Sequence, residues 1–229
     1  SFSQPQKCAS VSGRLERVIL MLEKLPSKKS ILQHFDEKDA VMAGVIRRVG
    51  PFKLKRNKNY FQVLCKAIVG QQISTKAAES INLRFRNLFT GNRPTPKKVQ
   101  DLTEKQLREA GLSGQKVRYM KDLSEKFLDR TVRPHLMAYQ DNEEIIRQLT
   151  GVYGIGRWTA EMFLIFSLSR LDVLPVGDLG LRAGVKLIYN MRDIPSPDLV
   201  HVLGRKWQPF ATVGTWYTWR TLDEGIIEY

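Results

Sequence analysis

The chain has 229 residues, 42% of them hydrophobic, which suffices for one compact unit or two small lobes sharing a cleft. Its 37 lysines and arginines outnumber 23 aspartates and glutamates, a net charge of +14 that would draw a polyanion, with a generic basic surface as the plainer alternative. Two cysteines (Cys8 and Cys65) and three scattered histidines (His34, His135, His201) exclude a disulfide framework, a four-cysteine cluster and zinc-ligand spacing, and no long apolar run supports a membrane-spanning segment.

In chain order, residues 1–12 read as a polar arm, and Gly13 to Leu25 as an amphipathic helix packing on the body, ended by Pro26-Ser27. Ser30 to Val49 reads as one or two helices closed by Gly50-Pro51. The basic stretch Phe52 to Asn59 is a solvated linker or a phosphate-facing edge, the linker being preferred. Tyr60 to Val69 is a buried helix that stops at Gly70, and Ser74 caps the next, Thr75 to Phe89. Between them Gln71-Gln72-Ile73 is either capping chemistry or a tip that fills a gap in a duplex; taken alone, the structural reading is the stronger. Gly91 to Pro96 is the clearest break, and Thr95-Pro96 and Thr103 start short helices. Gly111-Leu112-Ser113-Gly114 then opens a helix at Gln115 carrying Lys116, Arg118 and Lys121, a second plausible phosphate contact.

The centre of the chain is Leu149 to Leu181. After a first helix, Asn142 to Leu149, the turn Gly151-Val152-Tyr153-Gly154-Ile155-Gly156 leads into an apolar helix from about Arg157 to Ser169. A glycine turn between two helices offers backbone N–H groups at a helix N-terminus, where orphan donors and the helix dipole favour a phosphate. Gly154 and Gly156 are expected to allow close backbone approach and positive φ. Next comes Asp178 in a Pro-Val-Gly-Asp turn, either a simple N-cap for the helix Leu179 to Tyr189 or a carboxylate with chemical work, the latter favoured by the hairpin upstream. Asp172 reads as a turn residue. A helix from Pro195-Ser196-Pro197 through Lys206, a turn at Trp207 to Phe210 and a helix from Thr212 to Ile227 complete the chain. No segment reads as a strand, so the expected fold is all-α.

The run LTGVYGIGRWTAEMF followed by Leu174-Pro175-Val176-Gly177-Asp178-Leu179-Gly180-Leu181 resembles the helix-hairpin-helix (HhH-GPD) DNA glycosylase superfamily. Ile68 to Ala78, Gly111 to Lys116 and Trp207-Gln208-Pro209 are similar to its 3-methyladenine DNA glycosylase II branch. The motifs stand in the family's order from about Ala40 onward. The resemblance implies a compact two-lobed helical fold with a DNA-binding cleft and no N-terminal β domain: residues 1–35 as arm and packing helix, residues 36–229 as the glycosylase core, with the hairpin at 143–170 and the catalytic loop at 174–179.

It further implies that Asp178 is the catalytic aspartate, stabilising positive charge on the sugar as the glycosidic bond breaks and orienting water. Trp158, Trp219 and Met162 fall on base-pocket positions, Met162 at a place that is aromatic in some relatives; indoles attract a cationic base by ~0.5–2 kcal/mol. Trp216 reads as core. Gly151, Gly154, Gly156 and Thr159 fall on the hairpin's backbone contacts, Gln71, Gln72, Ile73 and Ser74 on the duplex wedge, and Ser113, Gly114 and Lys116 on further DNA contacts. Family members that also nick the strand carry a Schiff-base lysine where this chain has Trp158, so the implied enzyme is monofunctional. Ala211-Thr212 departs from the basic residue and serine often found after the Trp-x-Pro turn. No cofactor, catalytic metal or iron–sulfur cluster is implied, only a structural monovalent cation that hairpin carbonyls could hold. The implied partner is double-stranded DNA containing alkylated purines, met by a monomer inside the cell (bacterial cytoplasm or nucleoid, or eukaryotic nucleus) with no membrane. The alternative function is a non-catalytic helix-hairpin-helix DNA-binding module, which leaves Asp178 and the tryptophans without a purpose.

Overall fold

A computed structural model gives the structure over residues 27–222, and among these described residues every regular element is helical. The amphipathic helix expected over Gly13 to Leu25 lies outside the described residues, and the last helix, expected to run to Ile227, ends at Arg220, where the Thr221 amide turns back as C-cap. The chain runs through α1 (Lys28–Lys38) and α2 (Ala40–Val49), then α3 (Tyr60–Gly70), α4 (Thr75–Asn87), α5 (Pro96–Asp101), α6 (Glu104–Glu109), α7 (Gly114–Leu128), α8 (Asn142–Thr150) and α9 (Arg157–Phe166). It finishes with α10 (Leu179–Ile188), α11 (Pro197–Gly204) and α12 (Ala211–Arg220).

Most helix starts are fixed locally. Ser27, Asp39, Ser74, Thr95, Thr103, Ser113, Asp141, Asp178 and Ser196 are N-caps whose side-chain oxygens accept a first-turn amide, each such cap contributing about 0.5–2 kcal/mol. Asp39, with φ −156°, is why Ser30 to Val49 forms two helices rather than one. The helix expected to reach Ser169 ends at Phe166, since Ser169 takes a left-handed φ of +55°. The helix expected to run through Lys206 becomes a 3-10 turn at Arg205–Trp207.

Two apolar cores divide the molecule. The first is formed by α3 to α9, with Leu64, Ile68, Phe85, Met120 and Phe163 buried together. The second joins the beginning and end of the described chain, packing Phe35, Met42 and Ile46 against Leu181, Val185, Trp207 and Tyr217. One helix serves both: α12 places Trp216 and Tyr217 in the second core and Trp219 in the first. It lies so close to α10 that a Cβ on Gly184 would sit 2.6 Å from the Thr218 carbonyl oxygen.

Within the second core Asp39 is 6% exposed. Its Oδ1 accepts from the Met42 amide (3.2 Å), and its Oδ2 from Trp207 Nε1 (3.0 Å) and the Tyr189 hydroxyl. Burial, with Asp39 alongside, pushes the Tyr189 phenol up.

Besides the crossing within α12, the chain passes between the cores after α2 and after α9, and these two passages are fastened together. The Asn57 amide donates to the Phe166 carbonyl and Arg56 Nε to that of Ser167, both at 3.0 Å. The segment preferred as a solvated linker is therefore anchored at Arg56 and Asn57, while Lys53, Lys55 and Lys58 remain exposed.

Candidate active site

The hairpin between α8 and α9 uses its glycines differently. Gly154 has φ +81°, and a Cβ there would lie 2.1 Å from Tyr119 Cδ2, so this position needs glycine twice over. Gly156 has φ −88° and open space where a Cβ would go; the expectation of positive φ holds at Gly154 and not at Gly156. Gly151 is right-handed (φ −69°) at the C-cap of α8. As N-cap of α9, Gly156 has no side chain to offer the amides of Arg157, Trp158 and Thr159, and this end of α9 carries no side-chain cap. Thr159 is buried in that first turn.

Arg157, at the same helix start, is committed elsewhere: Nε donates to Glu161 (3.0 Å) and the guanidinium grips Glu143. The bond to Arg157 holds the Glu143 carboxyl below its usual range, whereas burial pushes that of Glu161 up, with Arg157 opposing.

The Gln71–Ser74 junction meets the hairpin directly. Gln71 Nε2 donates to the Gly154 carbonyl at 2.6 Å, so Gln71 is tied down. Gln72, with φ +56°, is exposed at the tip, beside the exposed Ile73. Ser74 spends its hydroxyl on the Ala77 amide as the cap of α4. From below, Lys116 Nζ donates to the carbonyls of Val69 (2.7 Å) and Gln71 (2.8 Å), and desolvation lowers its pKa. The ammonium read as a DNA contact is thus directed inward, onto the C-terminal carbonyls of α3. Its backbone amide donates to the Ser113 hydroxyl that caps the helix, and Gly114 opens the same helix.

Asp178 stands across from the hairpin as N-cap of α10. Oδ1 accepts from the Leu181 amide (2.6 Å) and Trp219 Nε1 (2.9 Å); Oδ2 accepts from Trp158 Nε1 (2.7 Å). Three separated elements, α9, α10 and α12, meet on this carboxylate. Behind it, Trp219 stacks on Phe166, ring centroids 6.0 Å apart and planes 17° off parallel. A groove of about 670 Å³ opens beside the site, with Trp158, Met162, Phe163 and Phe166 on the α9 wall and Gln62 and Lys66 on the α3 wall. Asp178 and Trp219 are joined to this groove through Trp158 rather than lining it. Asp172 accepts the Ala211 amide (3.3 Å), supplying the start of α12 from the preceding loop.

Residues 65–209 match the model of the HhH-GPD superfamily base excision DNA repair protein. The chain belongs to the HhH-GPD superfamily. Over 82% of its length and 85% of the relative's, it is 34% identical to the DNA-3-methyladenine glycosylase 1 of Schizosaccharomyces pombe. It also resembles the crystal structure of a DNA-3-methyladenine glycosidase from Bacillus halodurans: TM-score 0.80, 34% identity, 85% of this chain and 89% of that one. The S. pombe 3-methyladenine DNA glycosylase in complex with abasic DNA aligns with TM-score 0.74 and 31% identity over 84% of this chain and 96% of that chain.

In this HhH-GPD chain, the structure joins Asp178, Trp158 and Trp219 by direct hydrogen bonds, places Met162 one turn along from Trp158, and brings the Gln71–Ser74 junction onto the hairpin. It also supplies residues the sequence did not single out. Tyr119 fills the space beneath Gly154, held by Gln115 Nε2 at 2.5 Å, and Asp122 accepts the Tyr153 amide at 2.7 Å. No local signal marks those partners. Phe166 was within reach, because Trp158, Met162 and Phe166 recur every four residues on one helix face. Among the described residues no cluster of three or more His, Cys, Asp or Glu side chains is placed to hold a metal ion, and no helix is long and apolar enough to cross a membrane. Two hairpin carbonyls, of Val152 and Gly154, already accept from the Ile155 amide and Gln71, so a structural cation there would rely on their remaining lone pairs and on neighbouring carbonyls.

Proposed function

We propose that this chain is a monofunctional DNA glycosylase of base excision repair, releasing alkylated purines of the 3-methyladenine and 7-methylguanine type from double-stranded DNA. The observation that carries the reading is the Trp158–Asp178–Trp219 constellation at an aromatic groove, next to an uncapped glycine hairpin. The uncapped amides of α9 would take a phosphate, and Gln72 at the wedge tip would fill the space left as the nucleotide rotates out. Trp158 and Met162 on the groove wall would receive the base, whose positive charge suits an indole face, with Trp219 behind them against Phe166.

In the proposed reaction the C1′–N bond breaks with its electron pair going to the base. An oxocarbenium-like sugar develops beside the Asp178 carboxylate, and water adds to C1′ and loses a proton, leaving an abasic site. An alkylated purine departs as a neutral base, so no general acid is required. Trp158 has no amine to form an imine, so the strand stays intact. We take the working unit to be a single chain acting where the cell keeps its DNA, a reading supported by the meeting of α9, α10 and α12 of one chain on Asp178. No cofactor enters the reaction; a hairpin cation would serve the hairpin's shape alone.

The test is base release from methylated duplex DNA by wild type and Asp178→Asn, with abasic sites and strand breaks scored separately. Methylpurine release with intact strands, lost in the variant, is the expected result. Tight DNA binding with no release from any alkylated substrate would instead favour the non-catalytic binding module.

A further inference from the structure

We propose that Trp158 and Trp219 are positioning residues for Asp178, acting through their indole N–H groups as well as through their ring faces; this rests on the glycosylase reading above. A carboxylate offers about four lone-pair directions. Three at Asp178 are taken, by the Leu181 amide, Trp219 Nε1 and Trp158 Nε1, at 2.6, 2.9 and 2.7 Å. The donors come from three elements, so the carboxylate plane is fixed relative to both walls of the cleft, and one oxygen keeps a direction open. The group is thereby held as a fixed anion beside the place where the cation would develop.

The two indoles are not equivalent. Trp219 is 8% exposed, stacked on Phe166, with a Cβ position at Gly180 only 3.4 Å from its Cδ1. Trp158 is 46% exposed on the hairpin helix, so its bond to Oδ2 spans the cleft between the element that would grip the backbone and the element that carries the charge. A backbone seated on the first turn of α9 would therefore set the position of Asp178 through one side chain.

Two measurements on the full chain test this. In the 15N–1H spectrum, Asp178→Asn is expected to move the indole resonances of Trp158 and Trp219, assigned by their Phe variants, while Trp207 and Trp216 stay in place. In single-turnover excision, Trp158→Phe keeps an aromatic ring but loses the donor; the chemical step is expected to slow by about 10- to 100-fold, the scale of one charge-assisted hydrogen bond, with duplex affinity unchanged. Trp158→His, which restores a ring N–H, is expected to recover part of the rate. Unmoved indole resonances, or wild-type chemistry in Trp158→Phe, would overturn the proposal. A wild-type chain that releases no methylpurine would sink the glycosylase reading instead, and the indole shifts would still decide the hydrogen-bond geometry.

Discussion

Asp39 and Asp178 are assembled alike and surrounded differently. Each is the N-cap of a helix, each accepts the amide three residues on, and each accepts a tryptophan Nε1–H. Around Asp39 the remaining side is closed by Tyr189, and the group sinks into the second core. Around Asp178 the remaining side opens on the cleft, and its second tryptophan arrives from the hairpin helix. With three hydrogen-bond partners each, the same capped carboxylate is a buried fastening at Asp39 and a half-buried fixed charge, held from the hairpin helix, at Asp178.

This contrast can be broken at either end. Asp178→Asn is expected to lower methylpurine excision by about 100- to 1000-fold or more, the scale of losing a charge aimed at a developing cation, with thermal unfolding close to wild type. Asp39→Ala should do the reverse. Leaving the Met42 amide, the Trp207 indole and the Tyr189 hydroxyl without their acceptor costs about 2–4 kcal/mol in urea unfolding, while excision per folded molecule stays unchanged. An Asp39 variant that unfolds normally but excises poorly would show that the two carboxylates are not separable in this way.

The hairpin sharpens the point with its own pair. Gly154→Ala places a Cβ into Tyr119 and requires a left-handed residue, and should destabilise the fold by about 2–4 kcal/mol. Gly156→Ala meets nothing within 4 Å and should leave unfolding within about 0.5 kcal/mol of wild type. It should still weaken duplex binding roughly tenfold, to all sequences alike, because the new methyl stands where the phosphate would lie. Sequence-selective loss in a panel of duplexes would argue against a backbone grip.

The smallest effect is expected at Glu161, the buried carboxylate one helical turn from the start of α9. Burial raises its pKa above the unfolded value, so the folded chain holds that proton more tightly. Its stabilising contribution is fullest at acid pH and is lost as pH rises through the ordinary carboxylate range to the raised value. Glu143 has the opposite sign: lowered by Arg157, it contributes above the ordinary range and loses that contribution as pH falls through its depressed value. Glu161→Gln should remove the first slope and keep the second, shifting neutral-pH stability by no more than about 1 kcal/mol. Unfolding free energy against pH, compared between the two chains, reads this directly.

What the sequence made legible was local in character. Helix starts were written as Ser, Thr or Asp before an apolar-periodic run, and Gly151, Gly154 and Gly156 marked a turn between two such runs. Trp158 closely follows that turn, and Asp178 stands in its own Pro-Val-Gly-Asp turn ahead of a helix; the roles expected of both rest on the family resemblance. The reading of Gly156 as left-handed failed because the turn spends its one left-handed residue at Gly154, and Gly156 then serves as an extended N-cap. The links that fix the site were invisible for a different reason. Lys116 reaches back to Val69, Tyr119 forward to Gly154, and Asp39 across the chain to Trp207, distances no periodicity or spacing records.

The paired passages at Arg56-Asn57 and Phe166-Ser167 have a mechanical consequence. These two chain segments, bonded to each other, cross between the cores on one side, and α12, with Trp216 and Tyr217 in the second core and Trp219 in the first, ties the cores a third time. A body tied at three places, one of them a helix with side chains in both cores, resists both hinging and twisting of one core against the other. The spacing between the hairpin and Asp178 is thereby set by the fold rather than by a single hinge.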